Sequence, residues 1–99
     1  MLESFTLETF APHRDEPYLL HPGAGDPLEL RLVEATPLGE GTSPASGRAP
    51  FSLVFRGPRT PLLPQRIYRL EHGAIGAFEI FLVPIGPDQE GMRYEAVFT

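Results

Sequence analysis

Ninety-nine residues fit one domain, which we read as residues 1–99, because two halves would each be short of a core. The 41% hydrophobic content is that of a folded chain and too high for disorder, and no apolar run approaches the roughly 18 residues of a membrane helix. A net charge of −5 argues against nucleic acid, the lack of cysteine removes disulfides, thiolate metal sites and cysteine nucleophiles, and the lack of lysine (all eight basic residues are arginine) removes Schiff-base and P-loop chemistry.

Glu3 and Glu8 leave the N-terminus without the basic region of a signal peptide. A cytoplasmic protein is expected, unless a partner or a dedicated export route carries it elsewhere. Ser4 and Thr6 ahead of Leu7-Glu8-Thr9-Phe10 resemble a helix start, and Pro12 should stop it. The pattern predicts one short helical turn over residues 6–11, with Phe5, Leu7 and Phe10 packing on a sheet and plugging one end of a barrel.

Tyr18-Leu19-Leu20, between Pro17 and Pro22, reads as a short strand, and Pro22 to Pro27 as a turn. Leu28 to Thr36 alternates, with Leu28, Leu30 and Leu32 on one face and Glu29 and Arg31 on the other. These two runs form a first hairpin. Pro37 to Ala49 has almost no apolar residue and reads as a long mobile loop, either a tolerated insertion or an arm that meets a partner.

Four further strands are expected at Phe51–Arg56, Arg66–His72, Ala77–Pro84 and Met92–Phe98. Phe51, Leu53 and Phe55 share one face, as do Tyr94, Ala96 and Phe98. In Arg66–His72 the inward residues are Tyr68 and Leu70, with His72 a candidate third. A register that sets Arg69 opposite Glu79 also sets Leu70 opposite Phe78 and Tyr68 opposite Ile80, with charges outside and apolar partners inside. Prolines keep Thr60 to Pro64 extended and off any central ladder. About six strands and no long helix predict an all-β fold, a small antiparallel barrel or a curled meander, with one N-terminal helical turn.

Both faces of the fifth strand are apolar. Phe78, Ile80 and Leu82 form one; Phe81, Val83 and Ile85 form the other, which Val97, Val54 and Ile67 can join. Either helix and loop residues cover this second face or another subunit does.

Residues able to carry chemistry are few. His13, His21 and His72 show no metal-ligand spacing, so a zinc site would need long-range convergence. Glu71 and His72 are adjacent on a strand and point to opposite faces, so His72 reads as a turn or rim residue. Asp15-Glu16 and Asp88 with Glu90 read as solvated turn carboxylates. Gly23-Ala24-Gly25 precedes a strand rather than a helix and so is no phosphate loop. Arg56, Arg59 and Arg66 form the one local basic cluster, expected to pair with Glu29, Glu71 or Glu95 or to meet an acidic partner.

Several stretches look alike to a family pattern: Arg48-Ala49-Pro50-Phe51-Ser52-Leu53-Val54-Phe55-Arg56-Gly57-Pro58, Leu63-Pro64-Gln65 leading to Tyr68-Arg69-Leu70-Glu71-His72, Phe81 to Asp88, and Arg93-Tyr94-Glu95-Ala96-Val97-Phe98. With them, and with the Leu-Glu-x-Phe segment at Leu7 to Phe10, the chain resembles a family of short bacterial proteins of unknown function. The likeness spans nearly the whole chain and is densest from Arg48 onward. No functional residue carries over. The resemblance implies an assembly or accessory role, because such proteins are associated with gene neighbourhoods of phage-tail-like collar proteins.

The leading expectation is a non-enzymatic interaction module. It would bind itself, as a homodimer, or another protein through Phe81, Val83, Ile85 and Val97, with Arg56 and Arg93 at the rim. The alternative is a barrel whose interior or mouth takes an apolar ligand, with Tyr68, His72 and Tyr94 as its polar groups, although a barrel this small is usually filled by its own side chains. No catalytic residue, cofactor or metal is expected.

Overall fold

Six alternating stretches form six strands: β1 (Pro17–His21), β2 (Leu28–Pro37), β3 (Phe51–Gly57), β4 (Arg66–His72), β5 (Gly76–Pro87) and β6 (Met92–Phe98). The structure, a computed structural model, describes residues 5–39 and 48–99, so most of the expected loop at 37–49 lies outside the described residues. All strand pairs are antiparallel and close into a barrel in the order β1-β2-β3-β6-β5-β4.

Closure depends on β2 and β5, the two longest strands. Leu28 to Arg31 of β2 pair with β1, and Arg31 to Pro37 pair with β3 across a bulge at Val33. Gly76 to Leu82 of β5 pair with β4, Val83 to Pro87 pair with β6, and a second bulge falls at Ile85. Each bulge adds an unpaired residue and bends its strand, so one strand can serve two neighbours round a corner. A meander would have set β3 beside β4. Instead β3 pairs with β6 along its full length, and β4 pairs back onto β1. The proline-bearing segment 58–65 crosses from β3 to β4, stays out of the ladders as expected but bends at residues 59–61 rather than running extended throughout, and buries Leu63. Its amide donates to the buried Tyr94 hydroxyl at 3.0 Å.

The β4–β5 register is the expected one, with Leu70 opposite Phe78, Tyr68 opposite Ile80 and Arg69 opposite Glu79. The inward side chains, among them Tyr18, Leu30, Phe55, Leu70 and Tyr94, fill the interior.

One end is plugged by α1 (Leu7–Phe10), which begins where the Thr6 amide bonds Thr9 Oγ1 and the Thr9 amide bonds the Thr6 carbonyl. Phe10 is wholly buried, and Phe5 and Leu7 pack beside it. Pro12 does not stop the turn. It sits in the first positions of a 3-10 turn, Ala11–His13, where its missing N–H costs nothing.

Candidate functional site

His13, Glu16 and His72 come together from the 3-10 turn, the lead-in to β1 and the end of β4. Asp15, with a left-handed φ of 68°, turns the chain, and its amide bonds the Leu32 carbonyl at 2.6 Å. This delivers Glu16 to the plugged end. Its Oε1 meets His13 Nδ1 at 2.9 Å and His72 Nε2 at 2.7 Å. Both bonds hold the Glu16 carboxyl below the usual carboxylate range, the His72 bond contributing most. The His72 ring lies 4.6 Å from both the Tyr18 and His13 rings, with its side chain 7% exposed. His72 is thus the expected rim and turn residue, tied into the plug, and Glu16, though its side chain stays 45% exposed, is held by both imidazoles. The cluster escaped the sequence because Glu16 and His72 lie 56 positions apart.

The chemistry of this cluster follows from the His72 tautomer. The Ala74 and Ile75 amides donate to its Nδ1 at 3.0 and 3.3 Å. Nδ1 is thus an acceptor, and the proton sits on Nε2, donated to Glu16. A metal ion at Nε2 would force that proton onto Nδ1, against two N–H groups already aimed at it. The arrangement suits a hydrogen-bonded clamp joining the plug to the barrel.

Adjacent Glu71 points outward, as expected, and pairs with His21. Arg56, expected to meet Glu29, Glu71 or Glu95, instead grips the β5–β6 turn. Its Nε lies 2.9 Å from Asp88 Oδ2, and its other nitrogens reach Asp88 Oδ2 and, at 3.1 Å, Glu90. Asp88 Oδ1 accepts the Glu90 and Gly91 amides at 2.9 and 3.0 Å, and Arg59 donates to the Asp88 carbonyl. Asp88 is thus structural rather than solvated, whereas the Glu90 side chain stays 75% exposed, as expected. Arg56 first, then the two amides, holds the Asp88 carboxyl down at about 2.

A carboxyl whose pKa is lower folded than unfolded stabilises the fold above its unfolded value, about 3.9 for Asp. That contribution declines as pH falls through about 2. Asp88→Asn should lower the melting temperature at pH 7, and the gap to wild type should narrow steadily between about pH 4 and pH 2. Melts recorded over that range check this; a gap independent of pH would contradict it.

On the outer face, Ile67 and Phe81 are register partners on β4 and β5. Phe81 and Val97 line one groove of about 200 Å³ between β5 and β6. Ile67, Phe81 and Val97 are 62%, 48% and 54% exposed. Val83 is half-buried opposite Glu95, and Ile85 sits on the bulge, displaced from this row. Val54, expected to join the face, is buried. Arg93 is half-buried and donates to the Gly86 carbonyl at 3.3 Å. Of the polar groups expected for a ligand, the Tyr68 hydroxyl bonds the Pro64 carbonyl and the Tyr94 hydroxyl bonds Leu63, while His72 lies with the plug. The three do not converge on one cavity.

With the barrel in view, residues 5–98 match the model of a family described as a domain of unknown function, DUF6916. The chain belongs to that family. No curated protein and no solved structure matches it. The DUF6916 match takes in the plug, all six strands and the 58–65 crossing together. Among the described residues of the DUF6916 chain, no helix is long and apolar enough to cross a membrane.

Proposed function

We propose that this DUF6916 barrel is a non-enzymatic protein-interaction module, an accessory part of a larger assembly, and that its outer β4–β5–β6 face docks a second copy of the chain. What carries this reading is the exposed row Ile67, Phe81 and Val97, contributed by three adjacent strands. Covering such side chains contributes about 1.5–3 kcal/mol for each one fully buried, and apolar patches left on a surface mark interfaces. Charge supports a second copy as the occupant. Arg69 and Glu79 stand opposite each other beside Ile67 and Phe81, yet neither forms an ion pair among the described residues. In a two-fold interface a residue that meets its complement is met in return, so Arg69 of each copy can reach Glu79 of the other. An association with phage-tail-like assemblies fits the sequence resemblance.

Light scattering across a concentration series tests the face. Wild type should approach twice the chain mass, and Phe81→Asp should weaken association by about 2 kcal/mol or more, roughly 30-fold. If folded Phe81→Asp protein keeps the mass of the wild type at every concentration, the face is not the interface.

A further inference from the structure

The end of the barrel opposite α1 carries a cavity of about 420 Å³ between the β1–β2 turn and the 58–65 crossing. We propose that this mouth binds an apolar monocarboxylate, with Arg66 holding the carboxylate. This site is separate from the protein-binding face.

The walls decide the body of the ligand. Pro22, Leu28, Pro61, Leu63, Pro64 and the Tyr68 ring line the cavity and offer mostly carbon. The volume lies within the several hundred Å³ usual for small-molecule sites.

Arg66 decides the headgroup. Its guanidinium lies 5.0 Å from the Tyr68 ring centroid, and its Nη2 donates to the Pro22 carbonyl at 2.6 Å. These two contacts fix the plane of the group at the cavity rim. A guanidinium carries five N–H donors in a planar fork that matches a carboxylate bidentately. In a chain with 13 acidic residues, Arg66 forms no ion pair among the described residues. Gly23 adds a second observation. Its φ is +96°, and a Cβ there would lie 3.2 Å from Arg66 Nη2, close enough that the guanidinium would have to give by a few tenths of an ångström.

Asp26 sets the limit on charge. It also lines the cavity and has no basic partner among the described residues. A second anionic group on the ligand would meet it, and that repulsion selects against dicarboxylates.

Amide chemical shifts of the isotope-labelled full chain, titrated with phenylbutyrate, test the site. The neutral phenylbutyramide and the dicarboxylate phenylsuccinate are the comparisons. Saturable shifts confined to the 22–28 and 61–68 segments are expected with phenylbutyrate. Binding should be about ten-fold or more weaker for the amide and for Arg66→Gln, as the loss of a charged hydrogen bond predicts, and weaker again for phenylsuccinate. Arg66→Lys should recover part of the loss, and Phe81→Asp should change nothing. No saturable shift up to about 10 mM, a regime too weak for a specific site, or equal binding of acid and amide by wild type overturns the proposal. The acid–amide comparison needs no variant, so it decides the matter even if Arg66→Gln folds poorly.

Discussion

Phe10→Ala is expected to destabilise the barrel by about 3–5 kcal/mol, the usual cost of emptying a buried phenyl site. Phe10 is fully buried, with the rings of Phe5, Phe78, Phe98 and Phe51 at 5.4, 5.7, 5.9 and 6.1 Å. Its helix is four residues long, far below the length at which a helix holds itself in water. α1 therefore persists through what Phe10 buries. The substitution opens a hole at the plugged end and releases the turn that carries His13 toward Glu16. Against a total stability of about 5–15 kcal/mol, such a loss should lower the melting temperature by about 15 °C or more. Thermal melts by circular dichroism measure it, with hydrogen exchange at residues 7–13 as a local readout. A drop of less than about 5 °C, corresponding to roughly 1 kcal/mol, would make α1 an appendage rather than a plug.

Gly91→Ala is expected to cost about 1–3 kcal/mol, the usual range for overpacking. A Cβ at position 91 would lie 2.2 Å from the Gly57 carbonyl oxygen and 3.2 Å from Arg56 Cγ. The first of these atoms is backbone, held where Gly57 pairs with Met92, and no rotamer change can move it aside. The strain then falls on the turn, where the Asp88 amide bonds the Gly91 carbonyl at 2.8 Å and the Gly91 amide bonds Asp88 Oδ1. Gly73→Ala is the matched control. Its added methyl meets nothing within 4 Å and its φ is not positive, so the change should stay within about 0.5 kcal/mol, as for an ordinary surface site. Denaturant melts of both variants separate the collision from the generic effect of Gly→Ala. Equal stabilities would show that the β3–β6 seam yields easily.

Much of the fold was legible where the constraint is local. Period-two alternation places Tyr68, Leu70, Phe78 and Ile80 inside, and the short connection between β4 and β5 leaves one register that does so, the register observed. Prolines and glycines marked the ends of the strands for the same reason: their backbone limits act at their own positions. Bulges were not legible. A bulge at Val33 or Ile85 reads like any other residue in an alternating run until the partner strand fixes what is unpaired.

The candidate sites divide in the same way. That Phe81 and Val97 form a second apolar face followed from alternation alone, but which members of that set are exposed did not. Val54 is buried, and Ile85 is displaced by the bulge in β5. Arg56 and Asp88, 32 positions apart, meet because β3 lies beside β6 rather than β4. Glu16 meets His72 because β4 closes onto β1.

The sequence by itself determined an all-β chain, its strands, their inward faces and the β4–β5 register, because each follows from side-chain period and turn chemistry within a few residues. Only the tertiary structure decided the β3–β6 and β1–β4 neighbours, and with them the Glu16 clamp, the Arg56 grip and the cavity under Arg66. Those depend on which distant strands close the barrel, a choice made by the packing of the whole core.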